Sequence, residues 1–270
     1  PRRVITNYDF YAPIKGRFLY VKEDETIWSP SFYPVKRKTD SYLCRHAPGY
    51  TRWTSSHNGL EVESTIFLPQ EGAFEIWKMA VRNKSDSPKK VSLFPEVEYL
   101  LYNNMGVDPV YYSWYTNSEY DEEKQTLGFF KTLGNEGVYG FFRSIEKPSS
   151  WETSLKRLCG DGDIQNPEAI RTGRLAQTIS AGDPYIGCFQ FDLELAPGEE
   201  WSNLCFIGEG REVLAETQRF DSVEKADAEL AKIVEMWQKR LHRKEFEKVK
   251  DDTLRGYLQT FFPYQVYQQA

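Results

Sequence analysis

Two short segments of the chain gather side chains able to recognise a polar ligand. The first is Tyr42-Leu43-Cys44-Arg45-His46-Ala47-Pro48-Gly49-Tyr50-Thr51, where Arg45 and His46 stand among aromatic rings around a Pro-Gly turn. A guanidinium and an imidazole so placed can bind an anion or sugar hydroxyls through directed hydrogen bonds. The same groups serve equally as a buried polar corner that stabilises a strand crossing. The second segment runs from Tyr99 to Tyr120. There Tyr102, Tyr111, Tyr112, Trp114, Tyr115 and Tyr120 crowd together with Asn103, Asn104 and Asn117. Gly106 and Pro109 mark part of it as loop. Rings on a loop cost stability unless a partner surface, a sugar or the rest of the domain covers them.

Sets that would carry catalysis are missing. The sequence has no Walker-type phosphate loop, no GxSxG elbow and no HExxH. Gly160-Asp161-Gly162-Asp163 has the wrong ligand spacing for a calcium loop and lacks its closing Glu, so it reads as a turn. His46, His57 and His242 are scattered, and His242 falls on the charged face of a helix, where it reads as solvated. Acidic residues are plentiful, but a glycosidase pair must be opposed across a cleft, which spacing does not reveal. The four cysteines, Cys44, Cys159, Cys188 and Cys205, form neither a CxxC pair nor a Cys/His cluster, which argues against zinc. Cys188 and Cys205 lie in apolar segments and read as small hydrophobes. The residues alone assign no catalytic group, no metal site and no cofactor.

The elements that must position these groups are strands. Residues 17–21, 60–67, 75–81, 90–94, 188–195 and 202–207 approach a period of two, which sends alternate side chains to opposite faces. Asn58-Gly59, Asn83 to Pro88, Gly134-Asn135 and Ala196-Pro197-Gly198 supply turns between them. Most consecutive strands lack a helical crossover, which predicts antiparallel pairing. The fold class is therefore mainly β: a large antiparallel β-sandwich over residues 1–210, followed by C-terminal linker helices over 211–270. Asp221 and Glu224 predict a capping box. Val223, Ala226, Leu230, Ile233, Trp237 and Leu241 then recur as one helical face. A second helix is expected to start at Asp251 or Asp252, with Pro263 ending or kinking it.

Composition narrows the function. The 270 residues carry 40% hydrophobic and 27% charged side chains, ordinary globular usage that excludes a disordered or fibrous chain. A net charge of −6 argues against a nucleic-acid surface, and no apolar run is long enough to span a membrane as a helix. Aromatic residues reach 15%, which suits strands, large β cores and flat ligands such as sugar rings alike. With no visible signal peptide, the default compartment is the cytoplasm, where the thiols stay reduced. The opening Pro1-Arg2-Arg3 without Met implies a lost natural start. The apolar run Phe261 to Tyr267 implies a cut before a following helical domain, since termini are usually polar.

Several strings occur in register with a known family. They are Trp28-Ser29-Pro30, Tyr42-x-Cys44-Arg45-His46 with Gly49-Tyr50-Thr51, Gly182-Asp183-Pro184, and Ala196-Pro197-Gly198-Glu199 ending at Gly208-Glu209-Gly210. Over nearly its whole length the chain resembles the N-terminal domain of the inverting glycoside phosphorylases of glycoside hydrolase family 94. The group was formerly glycosyltransferase family 36 and includes cellobiose, cellodextrin, chitobiose and 1,2-β-oligoglucan phosphorylases. The resemblance implies a β-sandwich, helical linkers and then an (α/α)6 barrel that holds the general-acid Asp and the phosphate site. It implies a parent enzyme that cleaves a β-linked oligosaccharide with inorganic phosphate and uses no metal or organic cofactor. It also implies that the loop from Asn103 to Ser118 reaches a barrel's sugar site, often that of the other subunit of a homodimer. Tyr111, Tyr112, Trp114, Tyr115 and Asn117 are then the substrate-binding residues, together with Arg45 and His46. Ala47-Pro48 in place of Gly-Leu, and a loop without the Asp-Asp…Asn-Phe-Gln-Arg pattern, point away from cellobiose toward another β-glucan oligosaccharide. Two other classes stay open: a stand-alone carbohydrate-binding or assembly protein, and a complete glycan-active enzyme with its site on the sandwich.

Overall fold

The computed structural model describes residues 16–99, 101, 113–131, 138–242 and 244–269. The first strands are β1 (Arg17–Glu23), β2 (Thr26–Trp28), β3 (Ser41–Ala47), β4 (Tyr50–His57) and β5 (Leu60–Phe67). There follow β6 (Phe74–Asn83), β7 (Lys89–Glu98), β8 (Thr116–Asp121) and β9 (Thr126–Lys131). The last are β10 (Tyr139–Ser144), β11 (Ser150–Ser154), β12 (Tyr185–Leu195) and β13 (Glu200–Glu209). They form a five-stranded sheet, β11-β12-β7-β1-β2, and an eight-stranded sheet, β3-β4-β5-β6-β13-β10-β9-β8. Every pairing among the described residues is antiparallel, as the short connections require.

Alternation explains how the layers stack. In β5, Leu60 and Val62 turn toward the space between the sheets, where they meet Met79 and Val81 of β6 and the Leu93 and Phe189 side of the other sheet. Strand β1 is buried on both faces, which is why its period of two is weak in the sequence. Leu19 and Val21 join the inter-sheet core, while Phe18 and Tyr20 lie under the short helices Leu155–Cys159 and Glu168–Thr172. Those two helices interrupt the run of strands that the sequence predicts up to residue 210. The Asn58-Gly59 turn takes φ of 49° and 78°, the left-handed pair that a two-residue hairpin needs. At the crossovers between sheets, buried Asn83 donates from Nδ2 to the carbonyls of Ser87 (2.8 Å) and Leu195 (3.0 Å). One side chain thereby ties the β6–β7 and β12–β13 connections together.

The outer face of the eight-stranded sheet is covered by helices Arg211–Glu216 and Val223–Leu241. Ala226, Leu230, Ile233 and Leu241 are buried as the heptad-like spacing predicts, with Val223 and Trp237 packed at the edges. Burial of a side chain such as Leu230 or Ile233 contributes about 1.5–3 kcal/mol, so tertiary packing rather than intrinsic propensity holds this helix. Its N-cap is Ser222, not Asp221. Asp221 instead pairs with Lys225 at 2.7 Å, because one position further out its carboxylate no longer reaches the first free amides. The next helix, Asp252–Gly256, starts as predicted, with Asp251 accepting from the Leu254 amide at 2.8 Å. Pro263 does not end it. A π-helical turn, Tyr257–Phe261, widens the coil just before the proline, and helix Phe262–Gln269 continues. A widened turn accommodates the ring and the missing amide that would break an ordinary one. No helix among the described residues is long and apolar enough to cross a membrane.

Candidate functional site

Arg45 and His46, adjacent in sequence, go to opposite faces of the sheet. On β3, Arg45 stands opposite Arg52 and His46 opposite Thr51. Arg45 is exposed on the helix-covered side. There Arg52 is held by Glu63 (3.3 Å) and donates to the Thr65 hydroxyl (2.9 Å). The His46 imidazole turns to the other side, with Nδ1 3.1 Å from the Thr51 hydroxyl and Nε2 3.4 Å from the Cys44 sulfur. Neither residue is in a buried polar corner; β3 is an exposed edge strand.

The second segment lies far away. Thr116 already begins β8, so the expected loop to Ser118 is shorter: Asn117 is a half-buried strand residue, bridged by its backbone to Ala181. The backbone's own hydrogen-bond demand claims these residues for the ladder. Trp114 is 60% exposed, and its backbone approaches Gly182 of the Gly-Asp-Pro turn. Tyr115 is half-buried, and Tyr120 stacks on Trp151 at 4.7 Å as part of the core. Tyr111 and Tyr112 fall outside the described residues. Among the described residues, strands β3 and β8 are the two edges of the eight-stranded sheet, seven interstrand steps apart. At about 4.8 Å per step that is roughly 34 Å along the sheet. The structure therefore does not bring Arg45 and His46 together with Trp114, Tyr115 and Asn117.

What it does assemble, at the β3 edge, is a cleft of about 710 Å³ at the ends of the strands. One wall is the hairpin turn, where Gly49 (φ 88°) packs so closely on helix Val223–Leu241 that an added Cβ would sit 2.5 Å from Ile233. Its amide donates to the Tyr264 hydroxyl at 3.4 Å. Tyr50, Trp237 and Tyr264 supply aromatic surface. Trp237 and Tyr264 meet edge to face, with ring centres 4.9 Å apart and planes at 85°. Glu75 is the one carboxylate among the described lining residues, and it is ion-paired with Arg17. A single paired carboxylate can accept hydrogen bonds but cannot make the two-acid set of a glycosidase. Sequence reading reached only the hairpin side of this cleft; Glu75, Trp237, Arg240 and Tyr264 come from elements whose local signals say nothing about one another.

Three of the four thiols are poor nucleophiles. Burial pushes the Cys159 thiol up to about 11, and raises Cys188 and Cys205 well above the ordinary thiol range. Glu96 on β7 is fully buried beneath the two short helices, opposite Phe18 and Cys188, and neither carboxyl oxygen has a hydrogen-bond partner among the described residues. Burial first, and the Glu98 charge second, hold it well above the usual carboxylate range. It faces neither sequence-predicted segment.

Two antiparallel sheets backed by helices, with polar groups at their margins, define a supersandwich domain. Bacterial glucoamylase complexed with acarbose shares this fold, with a TM-score of 0.59 over 88% of this chain and 33% of that one at 10% identity. A model of the family described as "Glycosyl hydrolase 94, supersandwich domain" matches residues 6–239, and the chain belongs to that family. Solabiose phosphorylase from Paenibacillus borealis is 28% identical over 212 residues, 76% of this chain and 27% of the relative. N,N'-diacetylchitobiose phosphorylase from Vibrio proteolyticus is 28% identical over 237 residues, 83% of this chain and 29% of the relative. The chain thus spans between a quarter and a third of the length of these relatives.

Proposed function

We propose that the chain is the non-catalytic sandwich domain of a cytoplasmic β-glycoside phosphorylase whose (α/α)6 barrel follows the linker helices, with residues 1–210 as the sandwich and 211–270 as the linker. The observation that carries this reading is an apolar stripe on the last helices. Leu254 (50%), Tyr257 (47%), Phe261 (55%), Phe262 (53%) and Val266 (54%) are all exposed, a patch that a further domain would cover. The share of the phosphorylase relatives that the chain covers supports the same reading.

In the parent, a barrel acid protonates the glycosidic oxygen while an oxygen of inorganic phosphate attacks the anomeric carbon from the opposite face. The C–O bond to the leaving sugar breaks, and an α-sugar 1-phosphate forms from the β-linkage with inversion. No metal or organic cofactor enters this scheme. The sandwich braces the barrel, and the segment around Trp114, with Tyr111, Tyr112, Tyr115 and Asn117, reaches a sugar site, that of the partner in a homodimer. A ring such as Trp114 lying on a sugar contributes about 0.5–1.5 kcal/mol. Trp114→Ala in the complete protein should therefore lower kcat/KM for the oligosaccharide roughly 2- to 13-fold and leave phosphate affinity nearly unchanged. Unaltered sugar kinetics would remove Trp114 from the site.

A further inference from the structure

We infer that the cleft between the β3–β4 hairpin and the C-terminal helices binds a pyranose chain. A pyranose is amphipathic: it has apolar C–H faces and a rim of hydroxyls that must find new hydrogen bonds when they leave water. The cleft offers partners for both. Tyr50, Trp237 and Tyr264 line it with aromatic surface, and the 85° angle between the last two makes a corner rather than a flat stack. Its volume of about 710 Å³ has room for more than one sugar ring and falls in the ordinary range of small-molecule sites.

Two polar groups around these rings, on Gln70 and Gly49, are only loosely engaged. Gln70 places its side-chain amide nitrogen 3.6 Å from the Met236 thioether, the weakest class of acceptor in proteins. The Gly49 amide reaches the Tyr264 hydroxyl only at 3.4 Å. A sugar hydroxyl would improve on either bond. His46 and Thr51, joined at 3.1 Å, present a second donor–acceptor pair on the wall. The Glu75 carboxylate is paired with Arg17, and Arg240 stands on the rim, where its N–H groups can donate to sugar hydroxyls. The site lies at the sheet edge opposite Trp114, so it would anchor a glycan away from the proposed catalytic contacts. The inference does not depend on phosphorolysis.

The test is calorimetric titration of the 270-residue chain with cellotetraose and with a β-1,2-linked glucotetraose. Saturable binding of at least one is expected, with Kd on the order of 1 mM. Arg240→Ala and Gln70→Ala change exposed side chains, so each should weaken binding about 3- to 10-fold at an unchanged melting temperature. Lys90→Ala, which removes an exposed ion-pair partner of Glu194 on the five-stranded sheet, should leave it unaltered. The inference is overturned if neither sugar saturates below about 20 mM, if both cleft variants bind like the parent chain, or if Lys90→Ala weakens binding as much as they do.

Discussion

Gly49 and Trp237 meet too closely to admit a methyl group: a Cβ on Gly49 would lie 2.9 Å from the indole Cδ1, besides its clash with Ile233. Gly49 also holds a φ of 88°, a left-handed conformation that side chains resist. The contact fixes the hairpin against the helix and so shapes the cleft. Gly49→Ala should cost about 2–4 kcal/mol, combining backbone strain with overpacking. Urea unfolding followed by circular dichroism measures it; a loss within about 0.5 kcal/mol would mean that the turn and helix give way freely.

Arg45 yields the opposite expectation. It is exposed on an edge strand and makes no ion pair or hydrogen bond among the described residues. Arg45→Ala should leave the stability of the chain within about 0.5 kcal/mol of the parent. A loss of about 1–3 kcal/mol in the same unfolding experiment would restore the buried-corner reading of this residue.

Glu96 makes stability depend on pH. Its carboxyl is held above the usual range in the folded chain, so the native state keeps a proton that the unfolded chain releases. The neutral form is fully populated below the unfolded pKa, and the stability it gives is lost as pH rises toward the folded pKa. Inside that window the loss is about 1.4 kcal/mol per pH unit. Unfolding measured at intervals from about pH 5 to 9 should show this decline, and Glu96→Gln, which cannot ionise, should flatten it. Identical slopes in the two proteins would show that Glu96 is not the group responsible.

The strands and the long helix were legible in the sequence because burial writes itself into local periodicity. Val62 and Val81 alternate with polar neighbours, and Ala226, Leu230 and Ile233 recur at helical spacing. Strand order is not local. Nothing near Arg45 or Asn117 records that β3 and β8 close opposite edges of one sheet, so two segments that read as one kind of ligand surface are separate places. Nor does any short-range pattern connect Tyr50 with Tyr264; the hairpin turn and the final helix meet only because Gly49 lets them. Of the two outcomes expected at Pro263, an end to the helix does not occur, since its ring breaks an α-turn but is tolerated after the π-turn Tyr257–Phe261.

Under the proposed function, this chain supports phosphorolysis without performing it. The direct measurement is release of sugar 1-phosphate from a panel of β-linked disaccharides and inorganic phosphate, run in parallel on the 270-residue chain and on the protein encoded by the complete coding region. Phosphate-dependent α-sugar 1-phosphate is expected from the complete protein and none from the chain alone. Turnover by the chain near one per second, within the ordinary enzyme range, or sugar hydrolysis by the complete protein that ignores phosphate, would contradict it.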